Sequence, residues 1–141
     1  MKCLLSALIV SVSLLAAPVY AQDILTGTVT HVRDGDTIVV ADVPVRLNGV
    51  AALEADEPRG IAARGFIEHL VAGQKVHCEL NGERSYDRVI GVCFLEGQDI
   101  GAAIISAGLA RDCPRFSGGR YEVMNTAASL QLPLPGYCKR R

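Results

Sequence analysis

The chain has 141 residues and half of them are hydrophobic, which is enough for one compact core and excludes a large multidomain enzyme. Its 14 basic and 15 acidic residues give a formal net charge of −1 when the histidines are neutral. The chain therefore has no global positive field to attract nucleic acid, and any phosphate binding must come from a local cluster of cations.

The first 21 residues have the pattern of an export signal. Lys2 is the only early charge, residues 4–17 are almost wholly apolar, and residues 19–21 end on a small side chain where a signal peptidase cuts. We predict cleavage after Ala21, which leaves residues 22–141 as one mature domain that is periplasmic or secreted and has no stable membrane association. An uncleaved anchor is the alternative, but the apolar stretch is short for the roughly 20 residues that span a bilayer.

The first part of the mature chain is rich in Val, Ile and Thr and alternates in polarity, which is typical of antiparallel strands. Three strands are predicted, at 25–32, 37–41 and 43–50. Asp34-Gly35 and residues 42–44 are the turn signals between them.

Helical spacing begins after Pro58, where Ala62, Phe66 and Leu70 recur on one face and Gly73 gives a stop signal. We predict a helix over 59–72, and then a strand over 75–80, a polar loop over 81–87 and a strand over 88–95. A second helix is predicted over 99–107, with Asp99 as its N-cap and Gly108 as its stop, and a last helix over 121–130. This order of elements predicts a five-stranded, partly open β-barrel with helices against it, which is the OB-fold arrangement.

Four cysteines remain once the signal is removed, and an even set in a small exported domain predicts two disulfides. Cys78 and Cys93 fall on neighbouring predicted antiparallel strands, so we pair them. Cys113 is then left to join Cys138. Buried free thiols at 78 and 93 are the alternative, and zinc is disfavoured because no pair has Cys-x-x-Cys spacing.

Three short clusters carry residue types that suit phosphate chemistry. They are Asp34-Gly35-Asp36-Thr37, the segment from Val45-Arg46-Leu47 to Ala51-Ala52-Leu53-Glu54, and Tyr86-Asp87-Arg88. Taken singly, each has an ordinary interpretation as a turn or as a solvent-facing arginine at a strand edge. Together they resemble the staphylococcal nuclease family, whose pattern runs Asp-Gly-Asp-Thr, Val-Arg-Leu, Asp-x-Pro-Glu, a helix, and Tyr-Gly-Arg.

The resemblance implies hydrolysis of phosphodiester bonds, with DNA or RNA as the substrate. It implies that Glu54 helps to activate water and that Arg46 and Arg88 are guanidinium clamps on the phosphoryl oxygens. Tyr86 is then expected beside the scissile phosphate, and we expect the protein to be a monomer.

The same resemblance implies a calcium ion as cofactor, with Asp36 and the backbone carbonyl of Ala52 among its ligands. The family's second calcium aspartate falls on Ala51, so calcium affinity is expected to be weakened unless Asp34, Asp56 or Glu57 compensates. Returning an aspartate to this position is expected to tighten calcium binding. Asp87 stands where the family has glycine, and it is expected to place a carboxylate beside the anionic substrate.

A second function remains open at this stage. A nuclease-fold domain that has lost turnover is expected to serve as an accessory or binding protein at the cell envelope, for example in exopolysaccharide synthesis. We favour the enzyme, because Arg46, Glu54 and Arg88 are all present and a scaffold has no need of all three.

Overall fold

The computed structural model describes residues 22–140, and the predicted export signal at residues 1–21 lies outside them. The strands of the described part are β1 (Asp23–Asp34), β2 (Thr37–Val40), β3 (Val43–Leu47), β4 (Val50–Ala52), β5 (Lys75–Ser85), β6 (Arg88–Leu95), β7 (Gln98–Asp99) and β8 (Ala110–Asp112). Its α-helices are α1 (Pro58–Val71), α2 (Ile100–Ser106), α3 (Pro114–Ser117) and α4 (Ala127–Leu130). None of these helices is long and apolar enough to cross a membrane.

The main sheet is strongly curved and closes on itself. Its antiparallel strands follow the order β3-β2-β1-β5-β6, with the short β7 beyond β6. A parallel pairing between β3 and β6, which aligns Arg46 with Ile90, joins the two sides. The predicted five-stranded OB-type fold is therefore confirmed, and β4 and β8 form a small second sheet beside it.

The core lies inside the curved sheet and is covered by α1 and α2. Alternate β-branched residues of the first strands point inward, as the sequence pattern predicts, among them Val29, Val32, Ile38, Val40 and Val45. The predicted apolar face of α1 is confirmed in part, because Phe66 and Leu70 pack partly buried against the core whereas Ala62 is exposed. Ala63, Ile67 and Val71 are the fully buried side chains of the helix.

Three other predictions fail for tertiary reasons. The polar loop predicted over 81–87 is instead strand up to Ser85, because β5 and β6 continue to pair through Arg84 and Val89. The helix predicted over 121–130 is interrupted at Asn125, which is extended and separates the 3₁₀ turn Glu122–Met124 from α4. The predicted third strand also ends early, at Leu47.

Asp99 joins the start of α2 to the chain that follows β8. One carboxylate oxygen accepts a hydrogen bond from the Ala102 N–H at 3.1 Å, which confirms the predicted N-cap. The buried Tyr121 hydroxyl donates to the same carboxylate at 3.1 Å, and Arg120 Nε donates to it at 3.0 Å. A side chain at Gly101 would lie 2.8 Å from the Tyr121 hydroxyl oxygen, so this position needs glycine for packing.

Both predicted disulfides are confirmed. Cys78 and Cys93 are directly opposite each other on β5 and β6, with their Cα atoms 4.0 Å apart. Cys113 joins Cys138 with a Cα separation of 4.7 Å. This bond brings the end of the tail, defined here as residues 113–140, back to its start, where it follows β8. Two disulfides in a domain of this size fit an oxidising, exported environment.

We predict that Tyr121→Phe lowers the free energy of unfolding by about 1.5–3 kcal/mol, the usual range for a hydrogen bond to a charged group. Chemical denaturation monitored by circular dichroism measures the change. Tyr137→Phe is the matched control, because Tyr137 is half exposed and its hydroxyl has no hydrogen-bond partner within residues 22–140. Equal stability of the two variants would contradict the role of the Tyr121 to Asp99 bond.

Candidate functional site

Asp36 lies in the turn between β1 and β2 and is 8% exposed. One of its carboxylate oxygens accepts from the Thr37 hydroxyl at 3.1 Å, and the other accepts from the Ala52 N–H at 3.3 Å. The Asp36 N–H in turn donates to the Asp34 carboxylate at 3.0 Å. The carboxylate is thus fixed by groups from β2 and β4 as well as by its own turn.

The glycine of this turn is required by packing. A Cβ at Gly35 would lie 2.7 Å from the Cβ of Ala63 on α1 and 2.8 Å from the Cβ of Ala52 on β4. The Asp-Gly turn predicted from sequence is confirmed, but Gly35 does not have a positive φ. The missing side chain of Gly35 lets α1 and β4 approach the turn that carries Asp36.

Arg46 forms an ion pair with Asp36 beneath the surface. Arg46 NH1 lies 2.6 Å from Asp36 Oδ2, and the two side chains are 14% and 11% exposed. Burial raises the pKa of Asp36 to about 7, and the nearby guanidinium opposes this shift. The alternative interpretation of Arg46 as a solvent-facing residue is therefore wrong.

Arg88 begins β6 and is held by three hydrogen bonds. Its NH1 donates to the Thr37 hydroxyl oxygen at 3.1 Å. Its Nε and NH2 donate to the carbonyl and hydroxyl oxygens of Ser85 at 3.3 and 3.0 Å. Because Thr37 also donates to Asp36, a continuous polar chain links Arg88 to the carboxylate that holds Arg46.

Tyr86 occupies the tip of the hairpin between β5 and β6. The residue is 94% exposed, so its side chain lies outside the core. Its φ of 58° is a conformation that glycine adopts more easily. The Arg88 guanidinium lies 6.0 Å from the centre of its ring. The neighbouring Asp87 pairs with Arg33 at 2.8 Å, and this lowers the pKa of Asp87. The expected carboxylate beside the substrate is therefore directed to Arg33.

Glu54 lies in the loop after β4 and its side chain is exposed. A Cβ at Gly60 would lie only 1.7 Å from the Glu54 carbonyl oxygen, so the first turn of α1 packs directly on the backbone of this residue. Among residues 22–140 the Glu54 carboxylate makes no ion pair or hydrogen bond.

These side chains meet in one cleft of about 830 Å³, which we call the arginine cleft. Its lining includes Arg46, Glu54, Arg84, Tyr86 and Arg88. All three predicted catalytic residues and the predicted substrate-binding tyrosine are thus brought together. Asp36 does not line the cleft, because it lies behind Arg46.

The sequence interpretation missed one side of this cleft. Phe116 on α3 and Tyr137 in the tail also line it, and their ring centres are 6.4 Å apart. The position of these rings depends on how the tail folds back. The only indication in the sequence was that each aromatic residue lies near one of the paired cysteines, Cys113 and Cys138.

The model of the staphylococcal nuclease homologue family matches residues 44–129, which is more than half of the chain. The chain belongs to the staphylococcal nuclease family. The match includes Arg46, Glu54 and Arg88 and begins after Asp36.

A curated relative extends this comparison. The chain is 33% identical over 102 residues to the succinoglycan biosynthesis protein ExoI of Rhizobium meliloti (strain 1021). The match covers 64% of this chain and 53% of ExoI, so the chain spans about half the length of that relative.

Ala51 is the residue on which the family resemblance predicts a second calcium aspartate to fall. The residue is 5% exposed and packs with the Cys113–Cys138 disulfide and the partly buried Leu134 in a small apolar cluster of its own. Its side chain therefore faces a disulfide, and the tail fills the space beside it.

The donors at this place do not fit a calcium ion, which takes six to eight oxygen ligands. Both oxygens of Asp36 already accept hydrogen bonds, and the Arg46 cation is within 2.6 Å of one of them. Within residues 22–140 there is no group of three or more His, Cys, Asp or Glu side chains that could hold a metal. The Asp34 carboxylate lies beside the predicted ligand pair of Asp36 and the Ala52 carbonyl, but it already accepts from the Asp36 N–H, and calcium stays a prediction that these donors do not support.

The burial of Ala51 reverses the expectation drawn from its sequence position. We predict that Ala51→Asp lowers the free energy of unfolding by about 3 kcal/mol or more, because it buries a carboxylate against the disulfide. Thermal and chemical denaturation with and without millimolar calcium measure the effect, with Ala62→Asp on the exposed face of α1 as the control. Strong stabilisation of the Ala51 variant by calcium would instead support a restored metal site.

Proposed function

We propose that the protein is an exported nuclease-like phosphodiesterase that acts on DNA or RNA. The supporting observation is that Arg46 from β3, Glu54 from the loop after β4 and Arg88 from β6 line the same cleft. These segments are distant in the chain, and the closure of the sheet is what brings two of them side by side.

The two guanidinium groups match the chemistry of an attacked phosphate. The phosphoryl oxygens gain negative charge as the nucleophile approaches, and a guanidinium presents paired N–H donors to such oxygens. Arg46 and Arg88 are held in place before substrate arrives, through Asp36, Thr37 and Ser85. Donors that need no reorganisation stabilise developing charge most effectively.

Glu54 is the residue proposed to take a proton from the attacking water. It lines the arginine cleft, is exposed to solvent, and its backbone is fixed by the contact with Gly60. A base must be within reach of the water that it activates and must be free of competing partners. The phosphate oxygens would then be held by the arginines while Glu54 approaches from the loop.

A second candidate function is binding without turnover, as an accessory protein at the cell envelope. Two observations favour it: Ala51, where the resemblance predicts a calcium aspartate, is buried against a disulfide, and the chain is similar to a protein named for succinoglycan biosynthesis. The same cleft would then bind a polymer of the envelope, for example during exopolysaccharide synthesis.

We predict that Arg88→Lys and Arg46→Lys each lower the rate of phosphodiester cleavage by about tenfold or more, because an ammonium cannot reproduce the paired donors of a guanidinium. A plasmid-nicking assay on the protein of residues 22–141, over a series of divalent ions and in a chelator, measures the rate. Glu54→Gln should also abolish cleavage. Arg64→Lys is the matched control, since Arg64 pairs with Glu68 on α1 outside the cleft.

The same assay separates the two functions. Absence of cleavage by the unaltered protein under every condition would remove the enzyme proposal and leave the binding function. Cleavage that is unaffected by all three cleft substitutions would show that another site carries the activity.

A further inference from the structure

We propose that the tail, pinned by the Cys113–Cys138 disulfide, replaces calcium as the element that organises the arginine cleft, so that the cleft binds a phosphodiester strand without calcium. This inference rests on the proposed function, because it assumes that phosphates bind at Arg46 and Arg88. It concerns what shapes the site and adds the tail as a further part of it.

The first argument is the charge beside Asp36. A buried carboxylate requires a counter-ion, and the Arg46 guanidinium supplies it at 2.6 Å. The Ala52 N–H and the Thr37 hydroxyl satisfy the same carboxylate. The Arg46 charge thus already balances the Asp36 carboxylate, so a divalent cation would gain less there than at an unpaired carboxylate.

The second argument is the space beside Ala51. The methyl group of Ala51 packs on the Cys113–Cys138 disulfide, and Cys113 also lines the arginine cleft. The disulfide thus packs on β4 at Ala51 and extends to the arginine cleft. A carboxylate at position 51 would have to enter the space that the disulfide occupies.

The third argument is the wall that the disulfide supports. Cys113 directly precedes α3, which carries Phe116, and Cys138 ends the 3₁₀ turn that carries Tyr137. Asn48 donates a side-chain hydrogen bond to the Phe116 carbonyl oxygen at 3.3 Å, which attaches α3 to the turn after β3. The one covalent bond therefore joins the start of α3 to the end of the turn that carries Tyr137, and so fixes both segments whose rings line the cleft.

The exposed rings fit one class of occupant. Phe116 is 42% exposed and Tyr137 is 54% exposed, so both present ring surface to the cleft. A single strand of nucleic acid offers phosphates to Arg46 and Arg88 and an unpaired base that can stack on an aromatic ring. The aromatic pair is then a base-stacking wall opposite the arginines.

The test measures binding of a fluorescein-labelled oligothymidylate by fluorescence anisotropy. The protein of residues 22–141 is titrated in chelator and in millimolar calcium at matched ionic strength, because salt alone weakens phosphate contacts. We expect dissociation constants that agree within about twofold in the two buffers, as expected when the phosphate contacts come from arginines alone. Calorimetry with calcium and no oligonucleotide should show no binding heat.

The tail is tested by removing its disulfide. Cys113→Ser with Cys138→Ser should weaken oligonucleotide binding by about tenfold, the size of a lost base-stacking contact. Cys78→Ser with Cys93→Ser is the matched control, because that bridge lies on β5 and β6 and does not line the cleft. Tyr137→Ala keeps the disulfide and the fold, and it should weaken binding by about fivefold or more even if the double variant does not fold.

The outcomes are distinguishable. Binding that requires calcium would overturn this inference and leave the proposed function in place. Unchanged affinity of the tail disulfide variant and of Tyr137→Ala would overturn the role of the tail. Absence of oligonucleotide binding in both buffers would remove the proposed function, and this inference with it.

Discussion

The buried carboxylate of Asp36 is the constraint on which the site depends. It accepts hydrogen bonds from an N–H of β4 and from the hydroxyl of Thr37, forms an ion pair with Arg46, and through Thr37 it also fixes Arg88. A buried carboxylate without partners would be strongly destabilising. The carboxylate and its partners therefore hold one another in place. The geometry of the cleft is therefore a consequence of burying one charge.

The fold supplies the partners of that carboxylate. Closure of the sheet through β3 and β6 aligns Arg46 with Ile90, two residues after Arg88, and so places both guanidiniums on the same side of the barrel. Gly35 permits α1 to approach the Asp36 turn, and Gly60 permits the same helix to approach the backbone of Glu54. The close packing of α1, which Gly35 and Gly60 allow, thus positions both the Asp36 carboxylate that holds the arginines and the proposed base Glu54.

Sequence reasoning succeeded where the signal is local. The Asp99 cap needs only a carboxylate three residues before a free N–H, and the pairing of Cys78 with Cys93 follows from two adjacent strands. It failed where the local structure is decided by residues that are distant in the chain. Nothing near Asp87 in the chain indicates that Arg33 on another strand turns its carboxylate aside, and the polar residues before Tyr86 form strand because β6 pairs with them.

Ala51 shows why a ligand position cannot be interpreted by itself. A carboxylate there and an apolar disulfide in contact with it are mutually exclusive, since a carboxylate buried against sulfur and methylene groups has no partner to compensate its lost hydration. An alanine at this position removes that conflict and gives the disulfide a methyl group to pack on. The small apolar side chain at position 51 and the Cys113–Cys138 disulfide therefore depend on each other, because each supplies the contact on which the other packs.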